Sequence, residues 1–284
     1  MKYPHPKVWL VVMLIFSGLF FLNLQLKEEI RSYFNGVRFN YLFNKQAKGK
    51  GDVKVVLLCS SLGKQAISDP STLNNRMQEI DSNSFEFVKL PIAAATLEDF
   101  TGNQLLLDRL KTYNPDYLLI QESFLLVDRI KDVNSFSLRN TISFQNIKEM
   151  TLRSPDVMER GIKNKNTLNV YSDSLTRSSH FLTRRSNIRS FSSLEAFSNL
   201  NSELLVFEIP LPSFLETVMD SIRQSDQYRE VYTTTKKLSN FRYIKYPYSH
   251  PFSHYYDESH MNDIGEQIFT TWFLKKISEI HKES

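Results

Sequence analysis

The chain has 284 residues, of which 41% are hydrophobic and 13% aromatic, with one cysteine and a formal net charge of +4. This composition excludes a disordered polypeptide, a collagen-like fibre and a small disulfide-stapled domain. Residues 1–51 carry eight bases and two acids, whereas residues 52–284 carry 27 bases and 29 acids. Because the larger part is slightly acidic, the charge pattern favours a membrane surface over nucleic acid as a partner.

An uncharged apolar segment lies close to the N-terminus. After a short tail, residues 1–7, the segment 8–26 has no charged side chain and is long enough, at about 1.5 Å per residue, to span the roughly 30 Å hydrocarbon layer. No small-residue cleavage site follows it, so a transmembrane anchor is predicted rather than a cleaved signal peptide. Positive charges on both sides leave the orientation open. We expect a single-pass membrane protein whose domain lies outside the cytoplasm.

Residues 27–51 are predicted to form a stalk and linker. Ile30, Phe34, Val37 and Tyr41 recur at helical spacing, which is typical of an interfacial or stalk helix. The stretch then becomes glycine-containing and polar, as expected for a linker.

The remaining residues, 52–284, alternate apolar strands with helices. Strands are predicted at 53–59, 85–92, 116–120 and 204–210, with helices at about 96–113, after a capping box of Ser213 and Glu216, and at about 263–280. This alternation predicts an α/β fold with three α/β/α layers around a central parallel sheet. The polar, Ser/Arg/Asn-rich stretch 127–200 interrupts it and is interpreted as an insertion of helices and loops.

A serine pair follows the first predicted strand. In an open parallel sheet, the loops beyond the carboxyl ends of the strands build the functional site. Ser61 stands in such a loop, where its hydroxyl could be a nucleophile while the following backbone amides receive an oxyanion. The alternative is that this serine only caps a helix.

A second candidate feature precedes the last predicted helix. Asp257 stands three residues before His260, so that the carboxylate could accept a hydrogen bond from one imidazole nitrogen while the other faces a serine or a substrate. The alternative is a solvated histidine in a loop, with Asn262 or Asp263 capping the helix. Both features fall in loops at the edge of the predicted sheet, although they come from opposite ends of the chain.

These residues resemble the sequence blocks of the SGNH, or GDSL-type, hydrolase superfamily. The segment VVLLCSSL is similar to the first block, in which a strand ends in Gly-Asp-Ser-Leu, and matches Ser61 to the nucleophile. The segment KLPIAAATLEDF resembles the second block and matches Ala94 to an oxyanion-hole residue. The segment YDESHMNDIGEQIF resembles the last block, D-x-x-H-x-N-x-x-G, and matches Asp257 and His260 to the rest of a catalytic triad. The resemblance implies a flavodoxin-like fold.

The chain departs from these blocks at three positions. Cys59 and Ala94 replace glycines of the first two blocks, and the third block, Gly-x-Asn-Asp, would fall where Gln121-Glu122-Ser123 stands. Loss of the block's asparagine removes an oxyanion donor, at a cost of roughly 10²–10³ in rate unless another group replaces it. The resemblance therefore implies an oxyanion site made by the amides of Ser61 and Ala94, with Gln121 or Ser123 as substitute donor.

Other chemistry remains open from the residues alone. His250, His254, Asp257 and His260 could ligate a metal ion, Cys59 could be a reactive thiol, and the glycine and lysine after Leu62 make a poor phosphate loop. We expect no metal and no cofactor. A basic cluster is interpreted as a solvated helix face, with anionic polymer or lipid headgroups as the alternative partner; it consists of Arg177, Arg184, Arg185 and Arg189.

The leading hypothesis is a membrane-anchored serine esterase or O-acyltransferase acting on acylated cell-envelope carbohydrate. The first alternative is a catalytically silent SGNH-like domain that binds a glycan or scaffolds a membrane acyltransferase in a polysaccharide-modification system. The second alternative is a lipase or thioesterase, which would use the same triad. Tethering to a membrane favours a polymeric envelope substrate over a soluble ester.

Overall fold

The computed structural model describes residues 6–92, 97–126, 194–238, 240–257 and 259–284. Most of the predicted insertion 127–200, the arginine cluster and Ala94 lie outside these residues. The last part of that insertion is described and belongs to the core, because Leu194 and Phe197 are buried there.

The described residues form five strands and ten α-helices. The strands are β1 Val53–Cys59, β2 Phe85–Pro91, β3 Tyr117–Gln121, β4 Glu203–Phe207 and β5 Phe241–Ile244. The helices are α1 Pro6–Gln46, α2 Ser61–Ala66, α3 Pro70–Gln78, α4 Glu98–Thr101, α5 Gln104–Tyr113, α6 Ser123–Leu126, α7 Glu195–Ser198, α8 Ser213–Arg223, α9 Asp226–Lys236 and α10 Asp263–Glu283. A short 3₁₀ helix spans Phe252–His254.

All five strands are parallel, in the order β2-β1-β3-β4-β5. In the register, Val56 of β1 lies beside Val88 of β2 on one side and Leu118 of β3 on the other. This is the flavodoxin-like order, in which the chain reverses direction across the sheet between β1 and β3. The predicted three-layer α/β fold with a parallel sheet is confirmed, and β5 is an additional edge strand.

The strands alternate their side chains between two buried layers. On one face, Val56, Leu118 and Val206 pack under α1, α5 and α7. On the other face, Leu57 and Leu119 pack under helices α2, α3 and α10. Because both faces are covered, the strands consist of nearly continuous apolar residues, as expected for a parallel sheet.

The C-terminal part of α1 packs against the domain. Phe39, Leu42 and Phe43 are at most 5% exposed, and the Phe39 ring stacks on that of Phe100 with centroids 5.5 Å apart. Of the residues predicted on the apolar face, Tyr41 packs against the same core cluster, whereas Val37 is 46% exposed. The division of 27–51 into a stalk and a linker stays a prediction.

The first half of α1 contains the apolar segment 8–26. Several of its large side chains, including Trp9 and Phe16, are more than half exposed. Within the part of the chain that the structure describes, no helix has both the length and the apolar character needed to cross a membrane.

Two helix starts differ from the predicted ones. Instead of one helix over 96–113, the chain forms α4 and α5, and the Asn103 side chain caps α5 by accepting a hydrogen bond from the amide of Leu106. At α8, Ser213 does not act as a cap; Glu216 instead accepts a hydrogen bond from the amide of Leu211 at 2.8 Å. Helix α10 continues three residues beyond its predicted end, to Glu283.

Candidate active site

The turn after β1 presents Ser61 at the first position of α2. Ser60 is the N-cap of this helix, and its hydroxyl accepts a hydrogen bond from the amide of Leu62 at 3.2 Å. Gly63 lets the first turn approach the sheet: a β-carbon there would lie 2.6 Å from Cβ of Cys59. The Ser61 amide lies in the first turn of a helix, where amides lack intrahelical partners and face developing negative charge favourably.

The loop between the 3₁₀ helix and α10 is closed by its own aspartate. Oδ1 of Asp257 accepts hydrogen bonds from the amides of Ser259, at 2.9 Å, and His260, at 2.8 Å. Tyr255 and Met261 pair as an antiparallel bridge on either side of this turn. The D-x-x-H segment therefore forms a turn that brings the side chains of Asp257 and His260 together.

The asparagine and glycine of the same motif fix the loop to α10. Asn262 caps the helix by accepting from the amides of Ile264 and Gly265, and its Nδ2 donates to the Ser253 carbonyl at 2.7 Å. A β-carbon on Gly265 would lie 2.4 Å from the His254 carbonyl oxygen, so this close approach requires glycine. The capping alternative is thus correct for Asn262, and it accompanies the placement of His260.

Ser61, His260 and Asp257 form a continuous hydrogen-bonded chain. Ser61 Oγ lies 3.0 Å from His260 Nε2, and His260 Nδ1 lies 2.8 Å from Asp257 Oδ2. The His260 and Asp257 side chains are 20% and 28% exposed, so the chain of groups is accessible from solvent. Burial alone would raise the pKa of Asp257, but hydrogen bonds from the His260 ring and from two loop amides hold that pKa below its ordinary value.

A tyrosine ring supports the imidazole. The Tyr256 ring stacks on His260 with centroids 5.6 Å apart and an angle of 12° between the planes. The carboxylate at Nδ1 favours the tautomer whose Nε2 can accept a proton from a hydroxyl. This arrangement has the geometry of a nucleophile, a general base and an orienting carboxylate.

Gln121 ties the end of β3 to the serine turn. Its Oε1 accepts a hydrogen bond from the Ser60 amide at 2.9 Å, and its Nε2 donates to Ser60 Oγ at 2.7 Å and also to Ser123 Oγ. Both amide hydrogens of this fully buried side chain are therefore engaged. Gln121 positions the turn and is not placed to donate to an oxyanion.

Ser123 differs from Gln121 in its hydrogen-bonding capacity. Its hydroxyl accepts from Gln121, and a hydroxyl retains one hydrogen of its own to donate. Ser123 is partly exposed and lines a small cavity together with Leu62, the residue after Ser61. Of the two predicted substitute donors, Ser123 is therefore the one with a hydrogen available.

A buried ionic cluster, unforeseen from the sequence, lies behind this segment. Glu122 is 3% exposed and receives two hydrogen bonds from Arg223, at 3.0 and 2.7 Å, one at each carboxylate oxygen. Tyr228 and Tyr243 each donate to Glu122 as well, at 2.8 and 2.7 Å. Burial alone would raise the pKa of Glu122, yet the hydrogen bond and charge of Arg223 lower it. The cluster anchors Glu122, which lies between Gln121 and Ser123, to α8, α9 and β5.

Glu208 lies next to this cluster. The Tyr243 hydroxyl oxygen lies 2.7 Å from carboxyl oxygens of both Glu122 and Glu208, and Arg223 Nη2 lies 3.6 Å from Glu208 Oε1. A phenol has one hydrogen, so Tyr243 can donate it to only one of the two carboxyl groups at a time. Burial and the charge of Glu122 raise the pKa of Glu208.

The raised pKa of Glu208 predicts a specific dependence of stability on pH. The pKa of Glu208 is higher in the folded protein than its ordinary value of 4.5. Glu208 therefore contributes fully to the free energy of unfolding below pH 4.5, and this contribution is lost as the pH rises through its pKa in the folded protein. We expect the free energy of unfolding of the wild type to fall more between about pH 5 and about pH 8 than that of Glu208→Gln, which cannot ionise. Urea unfolding at both pH values measures this, and parallel changes in the two proteins would contradict the assignment.

Among the described residues, the geometry supports neither the metal site nor the reactive thiol that the sequence left open. Among the described residues, no group of three or more His, Cys, Asp or Glu side chains is arranged to hold a metal ion. His250 is buried, with its Nδ1 3.0 Å from Nδ1 of His254, while His260 pairs with Asp257. Cys59 is fully buried, and burial raises its thiol pKa to about 11, the opposite of what a reactive thiolate needs.

Comparison with solved structures returns esterases. One match is Axe2, an acetylxylan esterase from Geobacillus stearothermophilus, at 12% identity and a TM-score of 0.42, covering 80% of this chain and 94% of that one. Another is a lipolytic protein of the G-D-S-L family from Desulfitobacterium hafniense, at 10% identity and a TM-score of 0.38, covering 79% and 99%. A family two carbohydrate esterase from Clostridium thermocellum, in complex with cellohexaose, matches at 10% identity and 0.38, covering 82% and 65%.

One of these matched proteins is described as a member of the G-D-S-L family, which is the type of protein that the sequence blocks resemble. No protein-family model matches the chain. No curated protein matches it either.

Proposed function

We propose that this chain is an SGNH-type serine esterase or O-acyltransferase that acts on acylated carbohydrate. The observation that carries the proposal is the hydrogen-bonded chain Ser61–His260–Asp257, with spacings of 3.0 and 2.8 Å. Ser61 and His260 are 199 positions apart in the chain. Ser61 is the first residue of α2 and His260 lies three residues before α10, and both helices pack on the same face of the sheet.

The proposed reaction has two half-reactions. Ser61 Oγ attacks the acyl carbonyl while His260 Nε2 takes the hydroxyl proton, and Asp257 stabilises the resulting imidazolium through Nδ1. The tetrahedral intermediate collapses, the alcohol leaves with the proton from His260, and an acyl ester remains on Ser61. Water or a sugar hydroxyl then attacks this ester and gives its proton to His260. The second tetrahedral intermediate collapses, the acyl group stays on the attacking oxygen, and His260 returns the proton to the departing Ser61 Oγ.

In this proposal, Ser123 and the Ser61 amide donate to the oxyanion, and the Ala94 amide, which the family resemblance implies as a further donor, lies outside the described residues. We expect Ser123→Ala to lower kcat by roughly 10²–10³ with a much smaller change in KM, because a donor that acts in the transition state is lost. Ser123→Thr, which keeps a hydroxyl, is the matched control. The measurement is steady-state hydrolysis of 4-nitrophenyl acetate. An unchanged kcat in Ser123→Ala would remove Ser123 from the oxyanion site.

The substrate class and the location are further parts of the proposal. The acylated-carbohydrate substrate rests on the resemblance to carbohydrate-acting members of the superfamily. The uncharged segment 8–26 supports a membrane anchor and, with it, a cell-envelope polymer as the acyl donor or acceptor and a domain outside the cytoplasm.

The experiment that tests this function is reaction of the intact protein with a fluorophosphonate probe, followed by turnover of acetyl, long-chain and thioester substrates. We expect labelling and a preference for the short acetyl ester. A preference for long-chain or thioester substrates would replace the carbohydrate assignment with a lipase or thioesterase. No labelling and no turnover, with retained glycan binding, would indicate the silent scaffold instead.

A further inference from the structure

A polar groove lies between helices α3 and α10. Its volume is about 640 Å³, within the range of small-molecule sites. Thr72 and Arg76 of α3 form one wall, and Asp263, Glu266 and Gln267 of α10 form the other. No step of the proposed reaction uses any of these side chains.

The groove is built from segments that follow Ser61 and His260 in the chain. Helix α10 begins three residues after His260, and its first residue, Asp263, lines the groove. On the other side, Ser68 lies between α2, which begins with Ser61, and α3. Two contacts join the two sides: the amide of Ser68 donates to Thr270 at 3.0 Å, and Arg76 donates to Thr271.

The side chains of the groove indicate the chemistry of its occupant. Carboxylates, an amide, a guanidinium and hydroxyls offer many donors and acceptors, which suits a ligand rich in hydroxyl groups. Two acids against one base disfavour an anionic polymer such as a polyphosphate. Ile268, 43% exposed, adds an apolar patch against which the carbon-bound hydrogens of a sugar ring can pack. A neutral glycan meets all these conditions.

We propose that this groove binds the sugar units of a neutral glycan chain next to the unit whose ester reacts at Ser61. The inference rests on the proposed function and adds to it that the substrate is an oligomer or polymer held along α10. Binding energy from these remote units would then lower the barrier at the ester, so that short substrates are turned over less efficiently.

The test fills the groove and compares two substrates. Gln267→Trp and Thr72→Trp, both at exposed positions, place an indole in the groove from opposite walls. Gln78→Trp, at an exposed position of α3 that does not line the groove, is the matched control. The quantity measured is the ratio of kcat/KM for acetylated neutral oligosaccharides, including acetylated xylo-oligosaccharides, to kcat/KM for 4-nitrophenyl acetate. Thermal unfolding shows that each variant is folded, and Gln267→Ala provides a milder change.

The inference predicts that this ratio falls at least about tenfold in both groove variants, falls less in Gln267→Ala, and keeps its wild-type value in Gln78→Trp. Unchanged ratios in folded Gln267→Trp and Thr72→Trp would overturn the inference while leaving the esterase function intact. A wild type whose kcat/KM for an acetylated monosaccharide equals that for every acetylated oligosaccharide would overturn it too. A wild type that cleaves neither substrate contradicts the proposed function itself.

Discussion

Replacement of Ser61 by alanine is expected to lower kcat for acetyl ester hydrolysis by roughly 10³–10⁴ or more, because the nucleophile is lost and only binding and oxyanion stabilisation remain. Asp257→Asn is expected to lower kcat by up to about 10⁴, since the amide cannot hold the imidazole in the required tautomer. Both are measured by steady-state hydrolysis of 4-nitrophenyl acetate against the wild type.

The loss of activity in Ser61→Ala is expected without a loss of stability. Ser61 is partly exposed and Ser60 caps the helix, so Ser61→Ala removes no structural hydrogen bond of the turn. We therefore expect an unchanged thermal unfolding temperature. Ser60→Ala is the neighbouring comparison, because it removes the cap and the contact with Gln121 while leaving the nucleophile. Equal turnover by Ser61→Ala and the wild type would exclude Ser61 as the nucleophile.

Replacement of Arg223 by methionine is expected to give the largest loss of stability in the described domain. Glu122 would keep its tyrosine donors but lose its buried positive partner, and breaking such a pair costs about 3–5 kcal/mol in the free energy of unfolding. Urea unfolding measures this loss. The matched control is Arg229→Met, whose side chain is 67% exposed and pairs loosely with Asp226, and which should change stability little.

A double variant separates the two contributions of the pair. Glu122→Leu combined with Arg223→Met removes both charges, so it should recover part of the stability that Arg223→Met loses. An Arg223→Met protein as stable as Arg229→Met would show that the cluster does not anchor the segment from Gln121 to Ser123. A double variant less stable than both Glu122→Leu and Arg223→Met would indicate that the buried pair itself stabilises the fold.

Much of the fold follows from local apolar patterns. Strand β1 was predicted with its observed bounds because β-branched and apolar residues run without interruption from Val53 to Cys59. Strand β5, Phe241–Ile244, was missed because it is a short edge strand with half-buried residues, which has no such pattern. In α1, Phe39 and Phe43 are buried and Val37 is exposed, a difference that depends on contacts with the rest of the domain and that helical spacing alone does not show.

The candidate site also contains some features that follow from local sequence and others that depend on contacts between distant residues. The D-x-x-H-x-N-x-x-G motif is local, so its turn and its helix cap could be inferred from spacing. The contact of Gln121 with Ser60 joins residues 61 positions apart, and the Glu122–Arg223 pair joins residues 101 positions apart. A glutamate directly after an apolar strand signals that a buried carboxylate needs a partner, but the partner is set by the packing of α8 and β5. The signal was present at Glu122, and Arg223 became identifiable only in the fold.

The most direct test of the central claim is the position of the acyl group during turnover. The intact protein is mixed with an acetyl ester, quenched in acid within the first turnovers, and analysed by mass spectrometry of the whole chain and of its peptides. The account predicts one added acetyl group on the peptide that contains Ser61, absent in Ser61→Ala. The fluorophosphonate probe is expected to modify the same residue and to prevent its acetylation. Turnover with no modification of Ser61, or with the acetyl group on another side chain, would contradict it.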